Sequence, residues 1–316
     1  MACLPTILSS ALAAAVLAVL VTADARSASA AEQIEISSLA ASEKSPTFDD
    51  PSVAVDAFKA ALVGNDLPAL AKLLGLDGDK LKADEDAAST FAQIREAAAK
   101  QLTVEDLGDR RILQLGEKLW PFPFPLVKDK DGKWAFDTTA GLDEIVNRRV
   151  GENEIEAIST MRAYVDAQRE YVSQDWDNDG VLEYAQKLIS TPGKTDGLYW
   201  PPDQGDGDSP VGDFANQAAL DKAKKGEGYF GYKFRILTGQ GDNVAGGRYD
   251  YVINGNMIAG FALLAWPAKY GETGVATFAI NQQGIVYQID LGETTESTAN
   301  AIKRFSPSDA WSIVND

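Results

Sequence analysis

One stretch constrains the fold of this chain more than any other: residues 153–184, NEIEAISTMRAYVDAQREYVSQDWDNDGVLEY, where an amphipathic helix runs into an acidic loop. Ile155, Ile158, Met161, Val165 and Val172 recur at three-, four- and seven-residue steps, flanked by Tyr164 and Tyr171. That spacing gathers apolar side chains on one helical face, which requires a second layer to cover it. Arg162, Asp166, Arg169 and Glu170 fall on the opposite side. Asn153 suits the N-cap, with Glu154 and Glu156 in the first turn at the positive end of the helix dipole.

The loop that follows reads D-x-D-x-D-G. Asp175, Asp177, Asp179, Gly180 and Glu183 stand at positions one, three, five, six and nine of a calcium loop. Calcium takes about six to eight oxygen ligands, and glycine permits the sharp bend after the third of them. Carboxylates this close repel one another unless a cation lies between them. Position twelve, usually a bidentate Glu, is Gln186, which should weaken binding or leave a ligand to come from the loop of Asp203, Asp206 and Asp208. The expected cofactor is therefore calcium, held by Asp175, Asp177, Asp179 and Glu183. The competing reading is a solvated acidic turn in which Asn178 or Asp179 caps a helix over Val181–Ile189.

Ala11 to Ala23 is an uncharged run of Ala, Leu, Val and Thr, shorter than the roughly 20 residues of a membrane-spanning helix. Ala28-Ser29-Ala30 follows it as an A-x-A cleavage site, so residues 1–30 read as a secretory signal, although no Lys or Arg precedes the apolar run. This implies an exported protein, periplasmic or extracellular, with no membrane span in its mature form. The single cysteine, Cys3, lies within that leader, leaving a mature chain without disulfides. The formal charge of −18 disfavours nucleic acid and anionic membrane as partners. An envelope protein or a glycan is the expected partner.

With no histidine and no mature cysteine, Ser-His-Asp and Cys-His catalysis and His-ligated zinc are excluded. No nucleotide-cradling glycine motif is present. A carboxylate pair could still hydrolyse glycosides, which keeps a secreted hydrolase as the alternative. Trp176, Tyr199 and Trp200 are candidates for ligand contact through their flat rings, against the commoner role of Trp in a core.

Residues 31–47 are polar and aperiodic and read as a flexible tether. The first domain, residues 48–150, opens on a helical pair. Asp49-Asp50-Pro51 starts it, Gly64-Asn65-Asp66 turns it, and Gly75 ends it. Residues 89–100 form another helix, and strands follow over Arg111–Gly116, Phe124–Lys128 and Lys133–Asp137, the last with Trp134 and Phe136 inward. Trp120-Pro-Phe-Pro-Phe-Pro125 reads as an edge strand rather than a proline-rich partner motif. A short helix over Gly141–Val150 ends at Gly151, the expected domain boundary. The segment Phe48–Leu74, with the later K-W-x-F strand, resembles small NTF2-like domains.

The second domain, residues 151–316, carries the organising helix and then strands over Tyr229–Leu237, Tyr249–Ile253, Met257–Trp266, Val275–Ile280 and Ile285–Asp290. Asn254-Gly255 and Asn281–Gly284 supply tight turns. Asn153-Glu154, Ala157-Ile158, Met161-Arg162 and Ala167-Gln168 resemble the solvent-side half of the type IV pilin helix. Gly231–Phe234, Ala265–Ala268, Gly274–Phe278 and Gln283–Tyr287 resemble the sheet of pilin heads. The membrane-spanning half-helix of pilins does not precede Asn153. Trp120-Pro-Phe-Pro, Gly132–Thr138, Tyr164–Tyr184, Thr191–Lys194, Asp196–Pro201, Tyr249–Val252 and Gly260–Ala262 run over nearly the whole mature length. On these the chain is similar to an exported bacterial family catalogued as domain of unknown function 2950.

The expected architecture is α+β in two domains: a helical pair with antiparallel strands, then a pilin-like long helix on an antiparallel sheet. The expected function is a non-catalytic binding or assembly role at the cell envelope.

Overall fold

A computed structural model describes residues 36–82, 85–176, 178–204, 208–212 and 216–315. The secretory signal read over residues 1–30 lies outside the described residues. The chain divides into two compact units between Arg149 and Val150.

In the first unit, α1 (Pro51–Val63), α2 (Leu67–Leu74), α3 (Gly78–Lys82) and α4 (Glu85–Lys100) precede an antiparallel sheet. Asp50 caps α1 by accepting from Ser52 N at 2.7 Å, and Asp66 caps α2 by accepting from Ala69 N at 2.9 Å. Gly75 closes α2 in the left-handed conformation, at φ 69°. The strands are β1 (Leu102–Asp106), β2 (Arg110–Leu115), β3 (Trp120–Pro121), β4 (Leu126–Lys128) and β5 (Trp134–Phe136). Their order is β1-β2-β4-β5, with β3 also paired to β2. Trp134 and Phe136 point into the core, as their alternation requires.

The proline run is structural. Phe122 and Phe124 are buried, Phe122 meets the Phe58 ring edge-on at 5.0 Å, and the Arg148 guanidinium lies over Trp120 at 4.9 Å. The expected tether is docked in part. Ile36 and Leu39 are buried in a 3₁₀ turn, and Ala41 N donates to Gly75 O at 2.8 Å. Apolar contact at those two side chains overrides the polar composition around them.

Helix α5 runs from Thr138 to Tyr171 and passes Gly151 without a break, so the expected interruption there is corrected. A lone glycine costs a helix about 1 kcal/mol relative to alanine, too little to stop one packed on both sides of it. Its N-cap is Asp137, which accepts from Ala140 N at 3.0 Å, not Asn153. The buried face is Ala157, Met161, Tyr164, Val165, Gln168 and Tyr171. Ile155 is off that face, 67% exposed.

The second unit holds that face, α6 (Gln217–Lys224), β6 (Tyr232–Leu237), β7 (Gly239–Gln240), β8 (Tyr249–Asp250), β9 (Val252–Ile253), β10 (Asn256–Met257), β11 (Ala262–Pro267), β12 (Ala276–Asn281), β13 (Tyr287–Asp290), α7 (Thr295–Ala301) and β14 (Ser312–Ile313). The main sheet is antiparallel in the order β14-β13-β12-β11-β6. Strand β11 is buried throughout, because both faces of this sheet are covered. Register puts Leu263, Ile280 and Ile236 on one face and Leu264, Ala279 and Arg235 on the other. The first face meets α5, whose Tyr164 donates to Ala262 O at 3.4 Å and packs edge-on against Phe261 at 5.6 Å. The second meets α7, where Trp266 Nε1 donates to Glu296 at 2.9 Å and Arg235 donates to the Ile302 carbonyl at 2.6 Å.

The long strand expected over Met257–Trp266 is broken, because Gly260 sits at φ 139° and Ile258 N and Ala259 N both donate to Tyr251 O. Tyr249–Ile253 forms β8 and β9 in separate two-stranded pairings outside the main sheet, and β14 supplies the fifth main strand instead.

Candidate functional site

The acidic loop leaves α5 through an aromatic stack. Trp176 packs between Tyr171, at 5.8 Å, and Trp200, at 4.9 Å, and its Nε1 donates to Tyr171 O at 3.0 Å. Tyr171 OH donates to Thr195 O at 3.0 Å, tying the helix end to the 191–200 segment. Trp200 is 1% exposed and is the core member of this stack, with no open face for a ligand. Trp176 is half-buried against it.

Within the loop, Asp175 Oδ2 accepts from Gly180 N at 2.9 Å, the link between positions one and six of the motif. Asp175 Oδ1 is closed off from solvent and has no hydrogen-bond partner among the described residues. Asn178 and Gly180 adopt left-handed backbone conformations, at φ 60° and 87°. Asp179 Oδ1 accepts from Val181 N at 2.7 Å and its Oδ2 from Asn256 Nδ2 at 2.7 Å. Glu183 Oε2 accepts from Met257 N at 2.9 Å and from Gln186 Nε2 at 3.3 Å. Asp177 lies outside the described residues, as does Asp206, while Asp203 and Asp208 are exposed. Among the described residues no three Asp, Glu, His or Cys side chains are grouped closely enough to hold a metal.

No helix follows the loop. Val181–Ile189 is irregular, with isolated bridges from Tyr184 to Met257 and from Ile189 to Tyr199. The amide of Gln168 competes for this backbone. Its Nε2 donates to Ala185 O and its Oε1 accepts from Ala185 N, both at 2.8 Å, which holds residue 185 out of a helix.

Tyr199 lines a cavity of about 440 Å³ between the α5 face, the 188–199 segment and α6. Tyr229 and Phe234 complete its aromatic wall, and Leu220 and Leu263 its aliphatic one. Its size lies in the small-molecule range of roughly 300–1,000 Å³. The sequence signal for Phe234 is its two-residue step from the buried Tyr232 on β6. Leu220 and Tyr229 reach the cavity through loop geometry that no periodicity marks.

Residues 45–314 match the family model described as a protein of unknown function, DUF2950. The chain belongs to the DUF2950 family. No curated protein and no solved structure matches it. The DUF2950 match takes in both units, the acidic loop and the cavity at Tyr199.

In this DUF2950 chain the carboxyls of Asp50, Glu96, Asp196 and Glu296 are held low. Burial pushes Asp196 up, but hydrogen bonds from Lys187 Nζ, Thr191 N and Thr191 Oγ1, at 2.7, 2.7 and 2.9 Å, bring it down to about 2. Burial likewise pushes Glu296 up, but hydrogen bonds from Trp266 and Lys233 outweigh it and leave the carboxyl below its ordinary value. Such groups anchor backbone and side chains; a general acid needs the reverse shift. Among the described residues no helix is long and apolar enough to cross a membrane.

Proposed function

We propose that this chain is an exported, non-catalytic binding or assembly protein of the cell envelope, in which calcium orders the loop from Asp175 to Glu183. One observation carries the reading: among the described residues Asp175 Oδ1 is shut off from water with no protein donor, in a loop whose sequence spacing is that of a calcium site. A buried carboxylate oxygen left bare costs about 1–3 kcal/mol or more, which a hard cation coordinated there offsets. Asp175 and Asp177 would be the principal ligands. Asp179 would contribute the oxygen that otherwise holds Asn256, and Glu183 the oxygen not bonded to Met257 N.

The aromatic stack on Trp176 supports a role for the cation in order rather than in catalysis, since it joins the loop to the core beside Trp200. The cavity at Tyr199 supports ligand binding by the second unit. The packing of α5 on an antiparallel sheet supports the pilin-like reading, and the helices and sheet of the first unit support the NTF2-like one. The apolar run and A-x-A site support export.

Calorimetric titration of chelator-stripped protein with calcium tests the proposal. Saturable heat that Asp175→Asn abolishes is the expected result. An absence of heat up to millimolar calcium would overturn it.

A further inference from the structure

The sheet face opposite α5 is covered unevenly. Helix α7 spans only seven residues, and the irregular segment 302–311 must cover the rest. Between that segment and the sheet lies a cavity of about 360 Å³. Its floor is Leu237, Leu264 and Ala279 on three adjacent strands, and Phe305 and Trp311 form its sides.

Among the described residues every ionisable side chain lining this cavity is a cation: Arg248, Lys303 and Arg304. The chain as a whole has 47 acidic against 29 basic residues, so the local sign runs against the global one. Arg304 is committed, donating to Asp250, to Tyr249 O at 3.0 Å and to Gln240 O at 3.3 Å. Arg248 and Lys303 are exposed and make no ion pair or hydrogen bond among the described residues. An apolar floor beneath unpaired cations is complementary to a molecule with an apolar body and one anionic end.

We propose that this cavity binds a small free carboxylate, its aliphatic or aryl body on Leu237, Leu264 and Ala279 and its carboxylate between Arg248 and Lys303. The volume lies near the lower end of the roughly 300–1,000 Å³ range for small-molecule pockets, which matches a compact acid. Arg304, its charge offset by Asp250, leaves the anionic end to Arg248 and Lys303. This site is separate from the acidic loop and from the cavity at Tyr199.

Calorimetry of the intact protein with octanoate, and with octyltrimethylammonium as the cation of equal body, tests the assignment. Octanoate is expected to bind saturably at one site, to shift the Trp311 indole resonance, and to lose at least tenfold in affinity in the Arg248→Glu, Lys303→Glu double variant. Both positions are exposed and unpaired, so an unchanged circular dichroism spectrum is expected for that variant. Calcium binding at the acidic loop is expected to persist in it, which separates the two proposals. No saturable octanoate binding, binding indifferent to the double charge reversal, or equal binding of the ammonium would each overturn the proposal. A leucine-terminated tripeptide acid that binds where octanoate does not would reassign the site to a peptide terminus and overturn it as stated.

Discussion

Gln168 pairs with both backbone polar groups of Ala185, donating to its carbonyl and accepting from its N–H at 2.8 Å each. The pair is buried, and Gln168 Nε2 also donates to Tyr164 OH at 3.0 Å. A side-chain amide thus takes the place of a neighbouring strand for residue 185, and it sets where the chain goes after the acidic loop.

Gln168→Leu removes that substitute and leaves the Ala185 N–H and C=O buried and unmatched. Each unmatched group costs about 1–3 kcal/mol, so a loss of roughly 3 kcal/mol is expected. Urea unfolding of the variant, followed by near-UV circular dichroism, checks it. A loss under about 0.5 kcal/mol would mean that the pairing contributes little.

Glu154 Oε1 accepts from Val275 N and Ala276 N, both at 2.9 Å, and Asn153 Nδ2 donates to Thr273 O at 2.8 Å. These residues, expected at a helix start, instead fasten α5 to the entrance of β12. Glu154→Ala should speed hydrogen exchange at the Val275 and Ala276 amides and cost about 2 kcal/mol, as charge-assisted bonds do. Unchanged protection at those two amides would refute the role.

Two glycines of α5 should respond with opposite signs. A Cβ at Gly141 would lie 2.0 Å from Phe124 Cδ1, whereas nothing lies within 4 Å of one at Gly151. Gly141→Ala should destabilise by about 1–3 kcal/mol through overpacking, and Gly151→Ala should stabilise by about 1 kcal/mol through helix propensity. Thermal unfolding of the two single variants checks both signs.

Much of the fold was legible because local chemistry and tertiary packing agree. The Asp50 and Asp66 caps, the left-handed Asn254-Gly255 turn and the inward Trp134 and Phe136 are each dictated within a few residues. Strand β1 was not legible, being an exposed edge whose apolar alternation stops after Leu102 and Val104. Helix α7, TESTANA, has weak intrinsic propensity, and Arg235 and Trp266 hold it from the sheet. The acidic loop was legible as a spacing, but its link to Met257 through Glu183 was not, since that contact spans 74 positions. The cavity residues Leu220, Phe234 and Leu263 meet only through topology.

Acid should loosen the 187–196 segment. The Asp196 carboxyl is held at about 2 in the folded protein, below the ordinary value near 3.8. Its contribution is therefore complete above pH ~4 and is lost as pH falls from there through ~2. The group is partly exposed, so screening limits the effect to on the order of 1 kcal/mol. Asp196→Asn should flatten that part of the stability–pH curve, and an unchanged slope between pH 4 and 2 would contradict the assignment.

The loop itself is reported most directly by Trp176, which stands between Asp175 and Asp177 and can transfer excitation to a bound lanthanide. Terbium added to chelator-stripped protein should give sensitised emission that calcium displaces, that Trp176→Phe sharply reduces and that Asp175→Asn removes. Emission that is absent, or that persists undiminished in Asp175→Asn, would contradict the calcium-ordered loop.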